Sequence, residues 1–550
     1  MHRGARRPAL VLVAAAVGGR PANAGAQPAP FAAGEGRPLV TLGSTAEERA
    51  RLGQLLGRDS TAGFLLRTPS TLTSAPRSPD GVTTVAPIAP EVVSAYNSAI
   101  PTVDNDGALW AGRGLNGLVR GGLRARAGRV TVVLAPEVAY SQNRGFQSQP
   151  AFLTGQRPAT GPFAAQWFVG PYSADLPIRF GDQPYTVVGF GQSSVSVEAG
   201  PVVAGLSTEN QWWGPGVRNA LLFSNAAEGV PHAFVRTAHP LRTRLGDVEG
   251  RYILGGLTGS LYSTPTYAAQ SGRVLNGAVV TLRTAVEPGL TVGVARLVLS
   301  PVRDASGVFG HALDVLFRNQ SLGTGDSLRT GRRVDQLASA FARWVFPGAG
   351  TEVYGEFARL ELPRSPRDFL LAPLNTGAYT LGFAHAWSRS GGRALRASAE
   401  LTDLEQSRTF TDRPPPPDYY TGRAAPGGFT NRGQPLGAAI GPGSSSQWAA
   451  VDYYAPAWQL GGFLQRTRNQ NDALYRVFIP NLFRHDVSLT GGVRGGVRRR
   501  GVDLRATLAV TERLNYLFQN GSFNALDQGS VDVRNLSLTL SLSPAPRQPR

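Results

Sequence analysis

Hydrophobic and polar residues alternate along most of this chain. Leucine at every second position of residues 535–542 alternates with asparagine, serine or threonine. Residues 130–140 place Val130, Val132, Leu134, Val138 and Tyr140 on one side in the same way. Because successive side chains of a strand point to opposite faces, each segment has one apolar and one polar face. This pattern is typical of strands that separate lipid from an aqueous lumen.

The same period recurs in runs of about nine to twelve residues, the length that a tilted strand needs to cross a bilayer. The runs cover residues 115–124, 194–206, 233–241, 247–258, 274–284, 290–299, 334–345, 351–361, 377–388, 394–404, 446–454, 457–467, 485–495 and 502–517. With a weaker run at 183–190, they give roughly seventeen strands. An even count requires one more strand, which we place near residues 102–112.

Short and long connections alternate between these runs. Short turns are expected at 126–128, 288–289, 347–350, 391–392 and 498–501, and long loops at 142–182, 207–232, 300–333, 405–445 and 518–530. Outer-membrane barrels place short turns in the periplasm and long loops outside the cell. The sequence therefore predicts an all-β fold, a transmembrane antiparallel β-barrel of about 18 strands over residues 105–543, followed by a polar tail at 544–550.

The chain before the barrel has a different pattern. Residues 44–48 form a capping-box opening, and leucines then recur at helical spacing as far as Gly57. We expect a second helix at residues 91–100 and, over residues 27–104 as a whole, a small helical region on the periplasmic side. Residues 1–26 resemble a secretory signal peptide, with Arg3, Arg6 and Arg7 before a short apolar run.

Composition narrows the choice of partners. The formal net charge is +18, and arginine supplies all of the basic residues. Such charge fits nucleic acid, anionic lipid or an acidic polysaccharide, and a secretory signal makes nucleic acid the weakest candidate. The chain contains no cysteine, which removes disulfides and thiolate metal sites.

Residues 209–225, ENQWWGPGVRNALLFSN, form the segment best suited to bind a ligand. Trp212 and Trp213 precede Gly214-Pro215-Gly216, and Arg218 and Asn219 follow. Aromatic faces beside hydrogen-bonding groups suit carbohydrate, so we predict that the two tryptophans stack on sugar rings and that Arg218 and Asn219 bind hydroxyls or carboxylates. The alternative is that Trp212 and Trp213 only anchor a loop or belong to an aromatic girdle.

Catalysis and metal binding find little support. His485 and Asp486 are adjacent and would point to opposite faces of a strand, and neither G-x-S-x-G nor H-E-x-x-H occurs. We therefore expect no enzymatic activity, no metal site and no cofactor. Inward-facing charges are expected at Arg343, Glu352, Glu356, Arg396 and Glu400, either as ion pairs that stiffen the wall or as a polar path for saccharide. The long loop at 412–446 is either an extracellular cap or a segment inside the pore.

Several motifs together resemble the Wzi-type outer-membrane capsule assembly family. They are the segment at 209–225, PHAFVRTAHPL at 231–241, NDGALWAGRGLN at 105–116, APEVAYSQN at 135–143 and GGFTNRGQPLGAAIGPGS at 427–444. The resemblance implies a barrel in the outer membrane that binds capsular or exopolysaccharide and holds it at the cell surface, without chemistry. We expect a monomer surrounded by outer-membrane lipid. The alternatives are an outer-membrane porin or saccharide channel and, less favoured, an outer-membrane hydrolase.

Overall fold

Eighteen wall strands form a closed antiparallel barrel in the computed structural model of the chain. The structure describes residues 40–61, 63–73, 83–148, 163–168, 173–262, 272–302, 305–318, 334–360, 362–363, 365–406, 418–476, 484–499, 501–519 and 531–544. The predicted signal peptide and residues 545–550 of the predicted tail lie outside these ranges.

Fourteen wall strands are continuous segments, apart from a bulge in the first. They are β2 (Thr84–Asn97), β3 (Gly114–Ala127), β12 (Gly246–Leu257), β13 (Gly272–Thr284), β14 (Leu290–Val302), β15 (Asp335–Phe346), β16 (Thr351–Arg359), β17 (Gly377–Arg389), β18 (Arg393–Asp403), β21 (Ser445–Tyr454), β22 (Trp458–Arg468) and β23 (Val487–Arg499). The last two are β24 (Val502–Leu514) and β25 (Val533–Pro544). Pairing of β25 with β2 closes the cylinder.

The remaining four wall strands are shorter or interrupted. β4 (Val130–Leu134) and β5 (Glu137–Ser141) both pair with β3, and β6 (Tyr185–Gly189) and β7 (Ser194–Ala199) continue one another beside them. Then follow β8 (Val202–Ser207) and the interrupted strand β10 (His232–Thr237) and β11 (Leu241–Thr243). Four two-residue strands lie apart from the wall in two pairs. They are β1 (Leu66–Arg67) with β9 (Trp212–Trp213), and β19 (Thr430–Asn431) with β20 (Gln434–Pro435).

The number of strands is as predicted, but two placements were wrong. The eighteenth strand is β2, not residues 102–112, which belong to the connection between β2 and β3. Residues 194–206, predicted as one strand, instead contain a turn between β7 and β8. The second predicted helix at 91–100 is also wrong, because residues 91–97 lie in β2.

The apolar face of the strands points outward, as predicted. Leu536, Leu538, Leu540 and Leu542 are exposed on the outside of β25, whereas Asn535 is buried on the luminal side. Exposed leucine, valine and phenylalanine side chains continue this apolar belt around the barrel. In a membrane these side chains contact lipid, and the closed ladder of hydrogen bonds satisfies the backbone.

Short turns end the strands on one side of the barrel, and long connections end them on the other. Helices α3 (Asp314–Phe317), α4 (Pro366–Leu371) and α5 (Asn471–Arg476) lie in long connections. No helix in the described ranges is both long and apolar enough to cross a membrane.

The N-terminal helical region lies in the lumen, not beside the barrel. Helix α1 (Thr45–Leu55) begins at the predicted cap, where the Ser44 side chain accepts a hydrogen bond from the Glu47 amide. Its Leu52 and Leu55 pack against Tyr454 and small residues near the short-turn ends of β17, β18 and β21. A second helix, α2 (Pro69–Leu72), follows β1. The predicted division at residue 104 therefore does not match the structure, since the wall already begins at Thr84.

Candidate functional site

Two chain segments fill one side of the lumen. Residues 208–231, which contain the Trp-Trp segment, and residues 418–444 pack against the inner face of β8 and β10–β17, and together they form the plug. The shared core buries Trp213, Leu221, Phe223, Tyr420 and Phe429. The predicted alternative of a pore-inserted segment at 412–446 thus holds for residues 418–444, while 412–417 lie outside the described ranges.

Three wall carboxylates hold the plug by its backbone. Glu400 accepts hydrogen bonds from the amides of Val217 at 2.6 Å, Arg218 at 3.0 Å and Asn219 at 2.8 Å. Glu356 accepts one from Leu221 at 3.0 Å. Asp335 holds the second segment in the same way, through the amides of residues 423–425. These side chains satisfy backbone donors that could not reach water.

Two arginines of the N-terminal region bind the Gly-Pro-Gly turn just before these amides. Arg51 donates to the carbonyl of Pro215 at 2.8 Å, and Arg67 donates to those of Gly214 and Gly216 at 3.0 and 3.1 Å. Gly214 adopts a φ of 104°, a conformation that favours glycine. The N-terminal arginines therefore bind the carbonyls of the Gly-Pro-Gly turn, and the wall carboxylates bind the amides that follow it.

Both tryptophans of the predicted site are enclosed by protein. Trp212 is 2 % exposed, packs against Phe64 and Leu72, and lies under the Arg67 guanidinium at 5.0 Å. Trp213 is 1 % exposed, contacts Phe223 at 4.9 Å between ring centroids, and donates its indole N–H to Gln211 at 3.0 Å. Neither indole presents a face to open lumen in this conformation. Their stacking on sugar stays a prediction, and the geometry favours the alternative, a loop anchor.

Arg218 and Asn219 have different surroundings. Asn219 is buried and lies 3.5 Å from the hydroxyl of Ser446. The half-buried Arg218 reaches a large cavity, where its guanidinium donates to Asp104 at 2.8 Å and lies 5.9 Å from the centre of the Trp448 ring. Of the four predicted residues, only Arg218 lines this cavity.

The cavity of about 430 Å³ lies between the plug and the wall formed by β21–β25 and β2. Its wall is a ladder of hydroxyl and amide side chains from neighbouring strands. The ladder consists of Gln465, Thr467, Ser488, Thr490, Thr507, Thr511, Asn535, Ser537, Thr539 and Asn97. Phe463 is half-buried on the same surface and places an aromatic ring among these polar groups.

Charged groups in the cavity occur as pairs. Arg494 binds Asp452 through two nitrogens at 2.8 and 2.7 Å, and Arg513 binds Asp486 at 2.7 Å through each of two nitrogens. Trp448 lies between Arg218 and Arg494, whose guanidinium is 5.7 Å from the ring centre. These pairs fix the direction of each guanidinium while the hydroxyl ladder supplies donors and acceptors between them.

One acidic group beside Arg218 has a shifted pKa. Burial and the nearby charge of Asp104 raise the pKa of Asp106 to about 7, against the opposing effect of Arg218. Asp106 therefore changes charge close to neutral pH. It lies in the connection between β2 and β3, outside the strands.

The inward charges predicted on β15, β16 and β18 do face the lumen. Arg343 and Glu352 form an ion pair at 2.6 Å, and Arg51 of α1 joins them at 2.7 Å from Glu352. Arg396 binds Asp452 at 3.1 Å and Glu48 of α1 at 2.9 Å. The ion-pair alternative therefore holds for Arg343, Glu352 and Arg396, with α1 supplying further partners, whereas Glu356 and Glu400 bind plug amides instead.

Two histidines contact a backbone carbonyl and an asparagine side chain. His232 lies 2.6 Å from the carbonyl of Val230, and His485 lies 2.5 Å from Asn471. Burial, together with the charge of Arg468, lowers the pKa of His485. Within the described ranges, no three acidic or histidine side chains are grouped so that they could hold a metal ion.

Comparison with known structures supports the barrel architecture. Wzi of Escherichia coli, described as a carbohydrate-binding β-barrel involved in group 1 capsule assembly, matches at a TM-score of 0.52 and 12% identity over 83% of this chain and 85% of that one. OccK3 of Pseudomonas aeruginosa matches at 0.37 and 11% over 84% and 96%, and OccAB4 of Acinetobacter baumannii at 0.35 and 8% over 82% and 96%.

Sequence comparison identifies the family. No curated protein matched the sequence. The family described as capsule assembly protein Wzi matches residues 92–525, a range that begins in β2 and includes the plug and most of the hydroxyl ladder. The chain belongs to the Wzi capsule assembly family.

Proposed function

We propose that this protein is an outer-membrane barrel that binds capsular or exopolysaccharide without chemistry and holds it at the cell surface. The binding site is the cavity beside β21–β25 and β2, and the predicted signal peptide directs the chain to export. The hydroxyl ladder is the observation that carries this proposal. Family membership and the description of E. coli Wzi as carbohydrate-binding support it.

The chemistry of the cavity suits a saccharide. Sugar hydroxyls both donate and accept, and serine, threonine, asparagine and glutamine side chains do the same. Thr490 and Thr511 already form a hydrogen bond of 2.9 Å across neighbouring strands, so a ligand hydroxyl can exchange with either. The ring of Phe463 offers an apolar face to the C–H side of a sugar. Arg218, which is paired with Asp104, adds a charged hydrogen-bond donor at the edge of the cavity.

The plug separates this proposal from a diffusion channel. A porin needs a continuous aqueous path, whereas the apolar core around Trp213, Leu221 and Phe429 occupies the side of the lumen along β8 and β10–β17. We expect low conductance in a planar bilayer. A large stepwise conductance from the wild-type protein would favour the saccharide-channel alternative.

Two adjacent residues of β24 allow a matched test. Thr507 faces the cavity, and Leu508 faces outward. Thr507→Trp should fill the cavity and lower affinity for purified capsular polysaccharide at least tenfold, with release of polysaccharide from cells. Leu508→Trp places the same side chain in the apolar belt and should bind as the wild type does. Equal binding by both variants, with both barrels folded, would contradict the proposed site.

A further inference from the structure

Several wall strands carry polar side chains on their outward face near the long-connection ends. Asn276 of β13 and Arg296 of β14 are examples, and strand alternation places both on the membrane side of the wall. Residues 305–318, here called the first fold-back segment, cover them. Asn276 donates to the carbonyl of Ala312 at 2.9 Å and accepts from the amide of Val315 at 3.0 Å, and Arg296 donates to the carbonyl of Val315 at 2.9 Å.

A second segment repeats this arrangement on the neighbouring strands. Arg359 is the last residue of β16, faces outward and is buried. Residues 365–374, the second fold-back segment, cover it: the guanidinium donates to the carbonyl of Pro373 at 3.0 Å and lies 5.8 Å from the centre of the Phe369 ring. Two arginines on the outside of the barrel are thus held by chain that folds back over the wall.

Both segments turn large apolar side chains away from the protein. In the first, Phe309 is 81% exposed and Phe317 77%; in the second, Leu370 is 78% exposed and Leu371 69%. Exposed apolar clusters of this kind mark an interaction surface. They lie at the level where the strands leave the apolar belt, which is where amphipathic segments contact the lipid boundary.

An apolar groove of about 790 Å³ runs along the wall below the second fold-back segment. Ala340, Ala342 and Gly355 form a floor of small residues, while Val294 and Leu381 rise on either side. Leu374 of the second fold-back segment closes the end nearest the long connections. The groove and the segment thus form one continuous surface, here called the lateral groove.

We propose that the lateral groove binds one outer-leaflet lipid, with an acyl chain along β14–β17 and an anionic headgroup beside the second fold-back segment. The apolar belt continues on both sides, so lipid is the solvent that this surface meets. Long connections lie on the outer face of such barrels, which places the closed end at the outer-leaflet headgroups. Arg367 is exposed there, and a guanidinium pairs with phosphate through two parallel hydrogen bonds.

Native mass spectrometry of the purified full chain with lipid A or phosphatidylethanolamine tests the proposal. The wild type should retain one lipid A molecule per chain. Ala342→Phe fills the groove and should lower lipid A occupancy at least tenfold, whereas Ala506→Phe, an outward alanine of β24, should not change it. Ala340→Val is a milder second variant for use if the first barrel does not fold. Arg367→Glu should remove the preference for lipid A over its dephosphorylated form.

Two results would overturn the lateral groove as a lipid site. One is equal lipid A occupancy in the wild type and in both groove variants. The other is a protein dimer in detergent that Ala342→Phe separates, which would assign the groove to a second copy of the chain. Polysaccharide binding should be unchanged in all these variants, so the outcome is distinct from that of the proposed function.

Discussion

The two sides of the lumen are built from the same alternating strands but have opposite interiors. On the side of β8 and β10–β18, inward carboxylates bind plug backbone and an apolar core fills the space. On the side of β21–β25 and β2, inward threonine, serine and amide side chains border a cavity. A carboxylate buried beneath the plug needs hydrogen-bond donors there, which the plug amides supply, whereas hydroxyl and amide side chains that border a cavity can bind water. The choice of inward residue therefore decides which side is filled.

Removing a wall carboxylate that accepts hydrogen bonds from the plug should have the largest effect on stability. Glu400→Ala deprives three plug amides and the Tyr354 hydroxyl, 2.7 Å away, of their acceptor. We expect the free energy of unfolding of the plug to fall by about 3–5 kcal/mol, because buried donors are left unsatisfied. Conductance in a planar bilayer should rise as the plug leaves. Thr539→Ala, on the cavity side, is the control and should leave conductance unchanged.

Aromatic truncations on the two sides should separate stability from binding. Trp213→Ala should cost about 3–5 kcal/mol of unfolding free energy, since it empties the packed core. Phe463→Ala should leave stability nearly unchanged and weaken polysaccharide binding by up to about tenfold, the loss of one stacking contact of roughly 0.5–1.5 kcal/mol. Chemical denaturation and a binding titration check both. A Trp213→Ala variant that stays stable but no longer binds polysaccharide would instead support the prediction that Trp213 stacks on a sugar ring.

The smallest expected effect concerns pH. The pKa of Asp106 is raised to about 7 in the folded protein, whereas an unfolded aspartate ionises near pH 4, so the folded state loses stability as the pH rises from about 4 and the loss is complete above about 7. Asp106→Asn cannot ionise, so its unfolding midpoint should rise relative to that of the wild type as the pH increases from about 4 to about 7, and the difference should stay constant above that range. Identical pH profiles for the two proteins would show that Asp106 ionises normally.

Much of the barrel could be predicted from the sequence, because each wall strand carries a period of two that depends on local residues alone. The segments at 130–140 and 535–542 are examples. β2 was missed for a physical reason. Pro87 and Pro90 interrupt its pattern, and a register shift between Ile88 and Glu91 accommodates them next to β3. Strand pairing with β25, which is distant in sequence, fixes this segment.

The site was less predictable than the fold. Trp212 and Trp213 stand out in the sequence, but the burial of Trp212 depends on Phe64 and Arg67, which come from the distant N-terminal region. The hydroxyl ladder was visible only as the polar half of an alternating pattern. Its signal was the residue type, serine, threonine and asparagine at successive inward positions of β23–β25. Arg218 was identified because it follows the constrained turn.

The seam between β2 and β25 has a consequence for biogenesis. The barrel closes only when β2, the first wall strand, pairs with β25, the last. β25 follows β2 by more than four hundred residues along the chain. Helix α1 precedes that first strand yet ends up inside, so it must take its place while the sheet is still an open trough. The ion pairs of Arg51 with Glu352 and of Glu48 with Arg396 can then hold the curved sheet against the helix before the barrel closes.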